Sequence, residues 1–247
     1  MTTYKTAAIA KLLNVHPNTV RLYEKWRLIP PAKRLPNGYR IFTDFHLAQG
    51  RLVRLAFQVE VLQNGLRKKI IQMLHTSAAG NFDEAIALTL AYLKQLQQEQ
   101  QNAEEAIQIV KQLLVRQSKT NACQLKRKEA AKLLDISPDT LRNWEMNGLL
   151  NVKRRANGYR VYTGPDIQRL KVIRSLRCAG YSLESILRLL QKLAQNPAAD
   201  IRLALNTPKQ DDEIISVCDR LIVSLTAAEH NAQNLLVMLH QMKTQFS

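Results

Sequence analysis

The chain has 247 residues, with 36 lysines and arginines against 20 aspartates and glutamates, for a formal net charge of +16. That length suits two small domains with extensions, and the excess of cations points to a polyanionic partner. No window holds the roughly 18 apolar residues of a membrane span and no long apolar stretch opens the chain, which argues against a membrane or exported protein and for the cytoplasm. Cys123, Cys178 and Cys218 are isolated and form no CxxC pair, so neither a disulfide framework nor structural zinc is expected.

In chain order, the first helix is expected over 7–13, with Thr6 as its N-cap and Ala7, Ala10 and Leu13 on one face. Asn14-Val15-His16 reads as a turn. Pro17 suits the first turn of a second helix over 17–26, because its missing N–H is not needed there. Two short helices split by a tight turn are the helix-turn-helix signature. Pro30 and Pro31 then stop helix formation. Lys33-Arg34-Leu35 and Tyr39-Arg40-Ile41-Phe42 flank Pro36-Asn37-Gly38, and Asn-Gly between short β-prone runs predicts a hairpin, here a two-stranded wing. Helices over 44–57 and 64–76 complete a first unit, residues 1–77.

Residues 83–117 predict one long helix. Ile86, Thr89, Leu93, Leu96, Gln100, Ala103, Ile107, Val110 and Leu114 recur at alternating three- and four-residue spacings, the seam of a coiled coil. A linker at 118–124 follows. Residues 125–196 then repeat the first plan, with helices over 128–134, 138–147, 165–178 and 182–194 and a wing over 152–162 tipped by Ala156-Asn157-Gly158. A second long helix over 210–246 carries its own seam through Cys218, Leu221, Leu225, Ala228, Ala232, Leu235, Leu239 and Met242. At 1.5 Å per residue each seam is roughly 40–50 Å long. Because the linker is short, the second unit must begin near the far end of the first long helix. The expected fold is mainly α: tandem winged helix-turn-helix domains, each followed by a coiled-coil helix, the two helices pairing antiparallel within one chain as a pseudodimer. Pairing between chains, a homodimer, is the alternative.

The repeat is explicit. Ala8-Ile9-Ala10-Lys11-Leu12-Leu13-Asn14-Val15-His16-Pro17-Asn18-Thr19-Val20-Arg21 returns about 120 residues later as Glu129-Ala130-Ala131-Lys132-Leu133-Leu134-Asp135-Ile136-Ser137-Pro138-Asp139-Thr140-Leu141-Arg142, and Asn-Gly-Tyr-Arg follows each copy. Gly148 suits a positive-φ end to the second recognition-type helix, whereas Arg27 holds the matching place in the first, so the two helix ends are expected to differ.

Such a module is built for duplex DNA: the second helix enters the major groove by its N-terminal half, where base edges carry distinct hydrogen-bond patterns. That half offers His16, Asn18, Thr19 and Arg21 in the first head and Ser137, Asp139, Thr140 and Arg142 in the second, while Val20 and Leu141 face their cores. Lys33, Arg34 and Arg40 gather charge around the first wing, and Lys153, Arg154, Arg155 and Arg160 around the second, as phosphate contacts require. Tyr39 and Tyr159 either hydrogen-bond phosphate or pack beneath the wing. Asn18 suits adenine, an arginine suits guanine or phosphate, and Asp139 is repelled by phosphate but matches cytosine N4. Unequal heads imply an imperfect palindrome. His46, His75, His230 and His240 are scattered, and Glu104-Glu105 reads as a solvated face. With no P-loop, paired carboxylates or His/Cys constellation, no enzyme, cofactor or metal site is expected.

These runs resemble the MerR family of bacterial transcription regulators. The resemblance rests on Asn18-Thr19-Val20-Arg21-Leu22-Tyr23-Glu24-Lys25, Leu28-Ile29-Pro30 and Asn37-Gly38-Tyr39-Arg40-Ile41-Phe42. In the second unit it rests on 139–150, on Asn157-Gly158-Tyr159-Arg160-Val161-Tyr162 and on 173–186, which includes Gly180-Tyr181-Ser182-Leu183. It implies winged-head dimers joined by an antiparallel coiled coil and palindromic promoter operators that are often bent or untwisted. Activation would require DNA distortion that aligns a promoter or contact with RNA polymerase, neither of which leaves a readable motif, and the expected setting is the cytoplasm with its bacterial nucleoid. It assigns Arg21 and Arg142 to DNA, Arg40 and Arg160 to phosphate, and Tyr39 and Tyr159 to the backbone or the wing's underside. Leu22 and Asn143 depart from an aromatic residue common in the family, the first unit lacks the Gly-Tyr-Ser-Leu run, and two heads share one chain. Relatives often sense a metal, drug or oxidant through a segment after the coiled coil, and none is expected here. The leading expectation is a sequence-specific double-stranded DNA-binding transcription regulator. The alternatives are an architectural or excisionase-like DNA-bending protein and a coiled-coil interaction scaffold.

Overall fold

Both helix-turn-helix segments fold alike and for the same local reasons. The computed structural model describes residues 2–58, 65–115, 124–152, 160–207 and 220–247. The chain divides into two units, Met1–Gln98 with Leu225–Ser247, and Glu99–Ser224.

In unit 1, β1 (Thr3–Tyr4) leads into α1 (Thr6–Leu13) and α2 (Pro17–Lys25). Thr6 is the first residue of α1 and not its cap; Lys5 holds the N-cap position with no side-chain bond. The turn closes through Asn14 at φ 51, and the Val15 N–H reaches the Ala10 carbonyl at 3.0 Å. Asparagine tolerates the left-handed region better than most residues, which is why it suits this place. Ile9, Ala10 and Leu13 of α1 and Val20 of α2 are buried.

The wing forms as expected from β2 (Lys33–Arg34) and β3 (Arg40–Thr43), antiparallel, with Lys33 opposite Ile41 and Arg34 opposite Arg40. Its turn places Gly38 at φ 81, a conformation that favours glycine. The other edge of β3 is covered by β1, with Tyr4 opposite Phe42, giving the order β1-β3-β2. Next come α3 (Asp44–Ala56), α4 (Leu66–Ala78) and α5 (Phe82–Val115). Gly50 lets α3 approach α1: a Cβ there would lie 2.6 Å from Leu13 Cδ1. Gln49, 0% exposed, donates from Nε2 to the carbonyls of Leu28 and Leu74, each at 3.0 Å, and accepts from Ser77 Oγ at 2.8 Å. One amide therefore satisfies three buried polar groups that would otherwise cost stability.

Unit 1 is completed by residues 225–246 of α11 (Leu221–Phe246), which run antiparallel to the first half of α5. Asp83 pairs with Lys243, and Gln97 Nε2 donates to Glu229 Oε1 at 2.8 Å, so partners ascend on one helix as they descend on the other. Leu225, Ala228, Ala232, Leu235 and Leu239 are buried, as are Leu96 and Tyr92; Leu93 is only half-buried. At the lower end Phe45 of α3 contacts Phe82 and Phe246, with centroids 5.9 and 5.2 Å away.

Unit 2 repeats the plan with β4 (Gln124–Leu125), α6 (Arg127–Leu133), α7 (Pro138–Met146), β5 (Tyr162–Thr163), α8 (Gly164–Cys178) and α9 (Leu183–Gln195). β4 pairs antiparallel with β5. Asp135 takes φ 50 in the turn, as Asn14 does, and the Ile136 N–H bonds Ala131 O at 3.0 Å. Arg169 Nε donates to the Leu149 carbonyl at 2.7 Å, the part that Gln49 plays toward Leu28 in unit 1. A further short helix, α10 (Ile201–Asn206), lies beyond the elements expected from the sequence. The buried Arg188 of α9 donates to the carbonyls of Ala204 and Leu205 at 3.1 and 3.3 Å, a cation at the C-terminal end of that helix. The second half of α5 also belongs here, burying Ala103, Ile107 and Val110, while Leu114 is half-buried. Glu104 is not simply solvated: it pairs with Arg202 at 2.6 Å.

The expected difference between the two recognition-helix ends is absent. Arg27 adopts φ 56 and Gly148 φ 75, and the following residues close the helix alike, Leu28 N–H to Tyr23 O at 2.9 Å and Leu149 N–H to Trp144 O at 3.1 Å. The closure needs a left-handed residue, and the surrounding packing holds Arg27 there despite its Cβ. Among the described residues no helix is long and apolar enough to cross a membrane.

Candidate nucleic-acid interface

Each recognition helix starts on a capped turn. His16 is the N-cap of α2, its Nδ1 accepting from the Asn18 N–H at 3.2 Å. Ser137 caps α7, its Oγ accepting from the Thr140 N–H at 3.0 Å and lying 2.9 Å from Thr140 Oγ1. Pro17 and Pro138 fill the first turns, where the missing N–H costs nothing. His16 and Ser137 therefore aim their helices in addition to standing exposed at their tips.

Val20 and Leu141 are fully buried, which turns the opposite faces outward. Asn18, Arg21, Asp139 and Arg142 are exposed, and Thr19 and Thr140 half-exposed. Arg21 Nη1 donates to Asn18 Oδ1 at 3.0 Å, so the first head carries a pre-assembled amide–guanidinium pair. In the second head the same positions hold Asp139 and Arg142.

On the first wing Lys33 and Arg34 are exposed on β2. Tyr39 is 66% exposed, so it does not pack beneath the wing. Arg40 is half-buried, with Nε 2.6 Å from Glu24 Oε2. Arg160 repeats this in the second head, Nε 2.6 Å from Glu145 Oε2. Lys153, Arg154, Arg155 and Tyr159 lie outside the described residues, as do Cys123 and Cys218.

Sequence reasoning missed several neighbours of the second recognition helix. Arg174 and Arg177 of α8 border a concavity of about 520 Å³ together with Ser137, Asp139, Thr140 and Asn143. Arg174 Nη2 lies 3.3 Å from Asp135 Oδ2, and Arg177 Nη1 donates to Tyr181 O at 2.5 Å. Two arginines one turn apart just before Gly180-Tyr181 were the available signal. The exposed thiol of Cys178 lines the same surface. Burial and the Glu145 carboxylate push the Tyr162 hydroxyl up to about 12, which keeps it a donor. Among the described residues no group of three or more His, Cys, Asp or Glu is placed to hold a metal ion.

The comparisons with known proteins fall on the same segments. Residues 5–42 match the MerR family regulatory protein model, and residues 125–193 match that of the MerR HTH family regulatory protein. The chain is 46% identical over 63 residues to the HTH-type transcriptional regulator ZntR of Escherichia coli (strain K12), a stretch covering 25% of this chain and 45% of that protein. It is 41% identical over 75 residues to a probable heavy metal-dependent transcriptional regulator of Haemophilus influenzae, covering 30% and 58%. To the HTH-type transcriptional regulator HmrR of Rhizobium leguminosarum bv. viciae it is 28% identical over 114 residues, covering 45% and 84%. The chain thus spans about half the length of the first two relatives. No solved structure matches it. Two separate matches, each on a helix-turn-helix head with the same capped recognition helix, make both heads similar to the MerR family of helix-turn-helix regulatory proteins.

Proposed function

We propose that the chain is a sequence-specific transcription regulator that reads double-stranded DNA with two heads at once. The carrying observation is the repeated recognition helix, capped at its start, buried through Val20 or Leu141, and exposing Asn18 and Arg21 or Asp139 and Arg142. A net charge of +16 supplies the sequence-independent attraction to phosphates. Lys33, Arg34, Arg40, Tyr39 and their counterparts Lys153, Arg154, Arg155, Arg160 and Tyr159 hold the backbone, and the helix tips read bases.

The long helices pair as an antiparallel coiled coil within the chain, so that a monomer does what a homodimer does elsewhere. The reversed order of the Asp83–Lys243 and Gln97–Glu229 pairs in one chain supports this reading. Unequal reading residues make the preferred site an imperfect palindrome in a promoter spacer, where RNA polymerase is the downstream partner and the cytoplasm the setting.

Selection of bound duplexes from a random pool, followed by sedimentation of the complex, tests the proposal. The expected result is one enriched site with unequal halves, occupied by a single chain. Perfectly symmetric half-sites, or two chains per site, would refute the single-chain reading. No enrichment at any salt concentration would refute the DNA-binding reading and leave the scaffold alternative.

A further inference from the structure

The same buried carboxylate appears at the same place in both heads. Glu24 lies near the C-terminal end of α2, with its side chain 14% exposed. Oε2 takes Arg40 Nε from the wing strand at 2.6 Å, and Oε1 accepts from the Ala32 N–H, on the segment entering the wing, at 3.1 Å. Glu145 lies likewise on α7, with its side chain 6% exposed, and takes Arg160 Nε at 2.6 Å, Arg127 Nη2 at 3.2 Å and the Tyr162 hydroxyl. Phe42 stands where the second head has Tyr162, so the first head makes the brace with fewer side-chain donors.

A carboxylate at a DNA-binding face needs a reason, because its charge repels phosphate. Here it holds one edge of a rigid guanidinium fork. Arginine carries five donors in fixed geometry, so engaging Nε sets the plane and leaves the terminal nitrogens for a phosphate. We infer that Glu24 and Glu145 are positioning residues that lock each wing arginine to its own recognition helix, so that wing and helix dock on DNA as one body. This rests on the DNA-binding reading above.

The sign of one substitution separates positioning from charge. Glu24→Gln and Glu145→Gln each remove a negative charge, and electrostatics alone would tighten binding to any duplex. Positioning requires the reverse on the selected operator. Affinities of the full chain would be measured on that operator and on an unrelated duplex, with footprints of each half-site. Glu24→Gln is expected to weaken operator binding about tenfold, the scale of one charge-assisted hydrogen bond, while binding to the unrelated duplex holds or tightens. The footprint should fade over one half-site only. Glu145→Gln is expected to cost more, because two guanidiniums lose their partner.

Should Glu145→Gln fail to fold, a cycle in the first head decides. In an Arg40→Gln background Glu24→Gln should add nothing to the operator loss. Equal or tighter operator binding by Glu24→Gln, or an undiminished Glu24→Gln loss in that background, would overturn the inference. A wild-type chain that binds no duplex would sink the DNA-binding reading itself, a result distinct from a binding chain with indifferent variants.

Discussion

Replacing Arg27 by glycine removes a backbone cost without removing a buried contact. Arg27 is exposed, and at φ 56 it occupies a region where an L side chain costs about 1–2 kcal/mol. Glycine relieves that cost but enlarges the unfolded ensemble by about 0.4–1 kcal/mol, so the net gain lies between about 0 and about 1.6 kcal/mol, centred on about 0.8 kcal/mol. The closing bonds, Arg27 N–H to Glu24 O at 3.0 Å and Leu28 N–H to Tyr23 O at 2.9 Å, use only backbone and survive the change. Unit 2 supplies the mirror experiment. Gly148 has φ 75 and open space where a Cβ would stand, so Gly148→Ala should lose about 1 kcal/mol from conformation alone. The assay is urea unfolding of the full chain, read by hydrogen exchange within each unit so that the two transitions are not merged. Arg27→Ala is the control: it removes the same charge and keeps the strain. If Arg27→Ala stabilises unit 1 as much as Arg27→Gly, the gain comes from charge and the conformational reasoning fails.

Gln49→Leu strands the carbonyls of Leu28 and Leu74 and the hydroxyl of Ser77 in the core, and should lower unit 1 stability by about 3 kcal/mol, seen as a fall in denaturation midpoint. Burial lowers the pKa of His46 below its ordinary 6.5, and its Nδ1 accepts from the Thr43 N–H at 3.1 Å, so the folded state favours the neutral ring. The unfolded chain then binds the proton more readily, and stability is expected to fall as pH drops through 6.5, a slope that His46→Gln should flatten in a pH series of melting temperatures. Asp139→Asn makes the two heads alike at this position. It should shift the second half-site toward that of the first and tighten binding to unrelated duplex, and duplex selection with the variant reads both.

What the sequence made legible was local. Pro17 and Pro138, Asn14 and Asp135, and the Asn-Gly of the wing each constrain one or two residues' backbone, and the elements they bound came out within a residue or two of expectation. The misses were set by partners distant in the chain. Strands of two residues, such as Thr3–Tyr4 and Gln124–Leu125, carry no readable period and exist only because β3 and β5 lie beside them. The six residues of α10 are held by Arg188. Glu104 looked solvated because its partner, Arg202, is remote in sequence. For the site, residue types and exposed faces were readable from the repeat. The roles of Glu24 and Glu145 were not, since a glutamate late in a polar helix looks like surface until its arginine is found on the wing. Arg27 misled in the other direction: residue preference argued for a different helix end, and tertiary packing overrode it.

The division of the long helices sets an order of events during synthesis. Residues 1–98 emerge well before the helix that completes their unit, from Leu225 onward. At about 5–20 residues per second the ribosome needs on the order of ten seconds to deliver it. Through that interval the apolar side of Phe82–Gln98 stands without its mate, while neighbouring nascent chains on the same message carry an equivalent segment. Polysome spacing, and not only the finished sequence, therefore bears on whether each chain closes on itself or exchanges that helix with a neighbour.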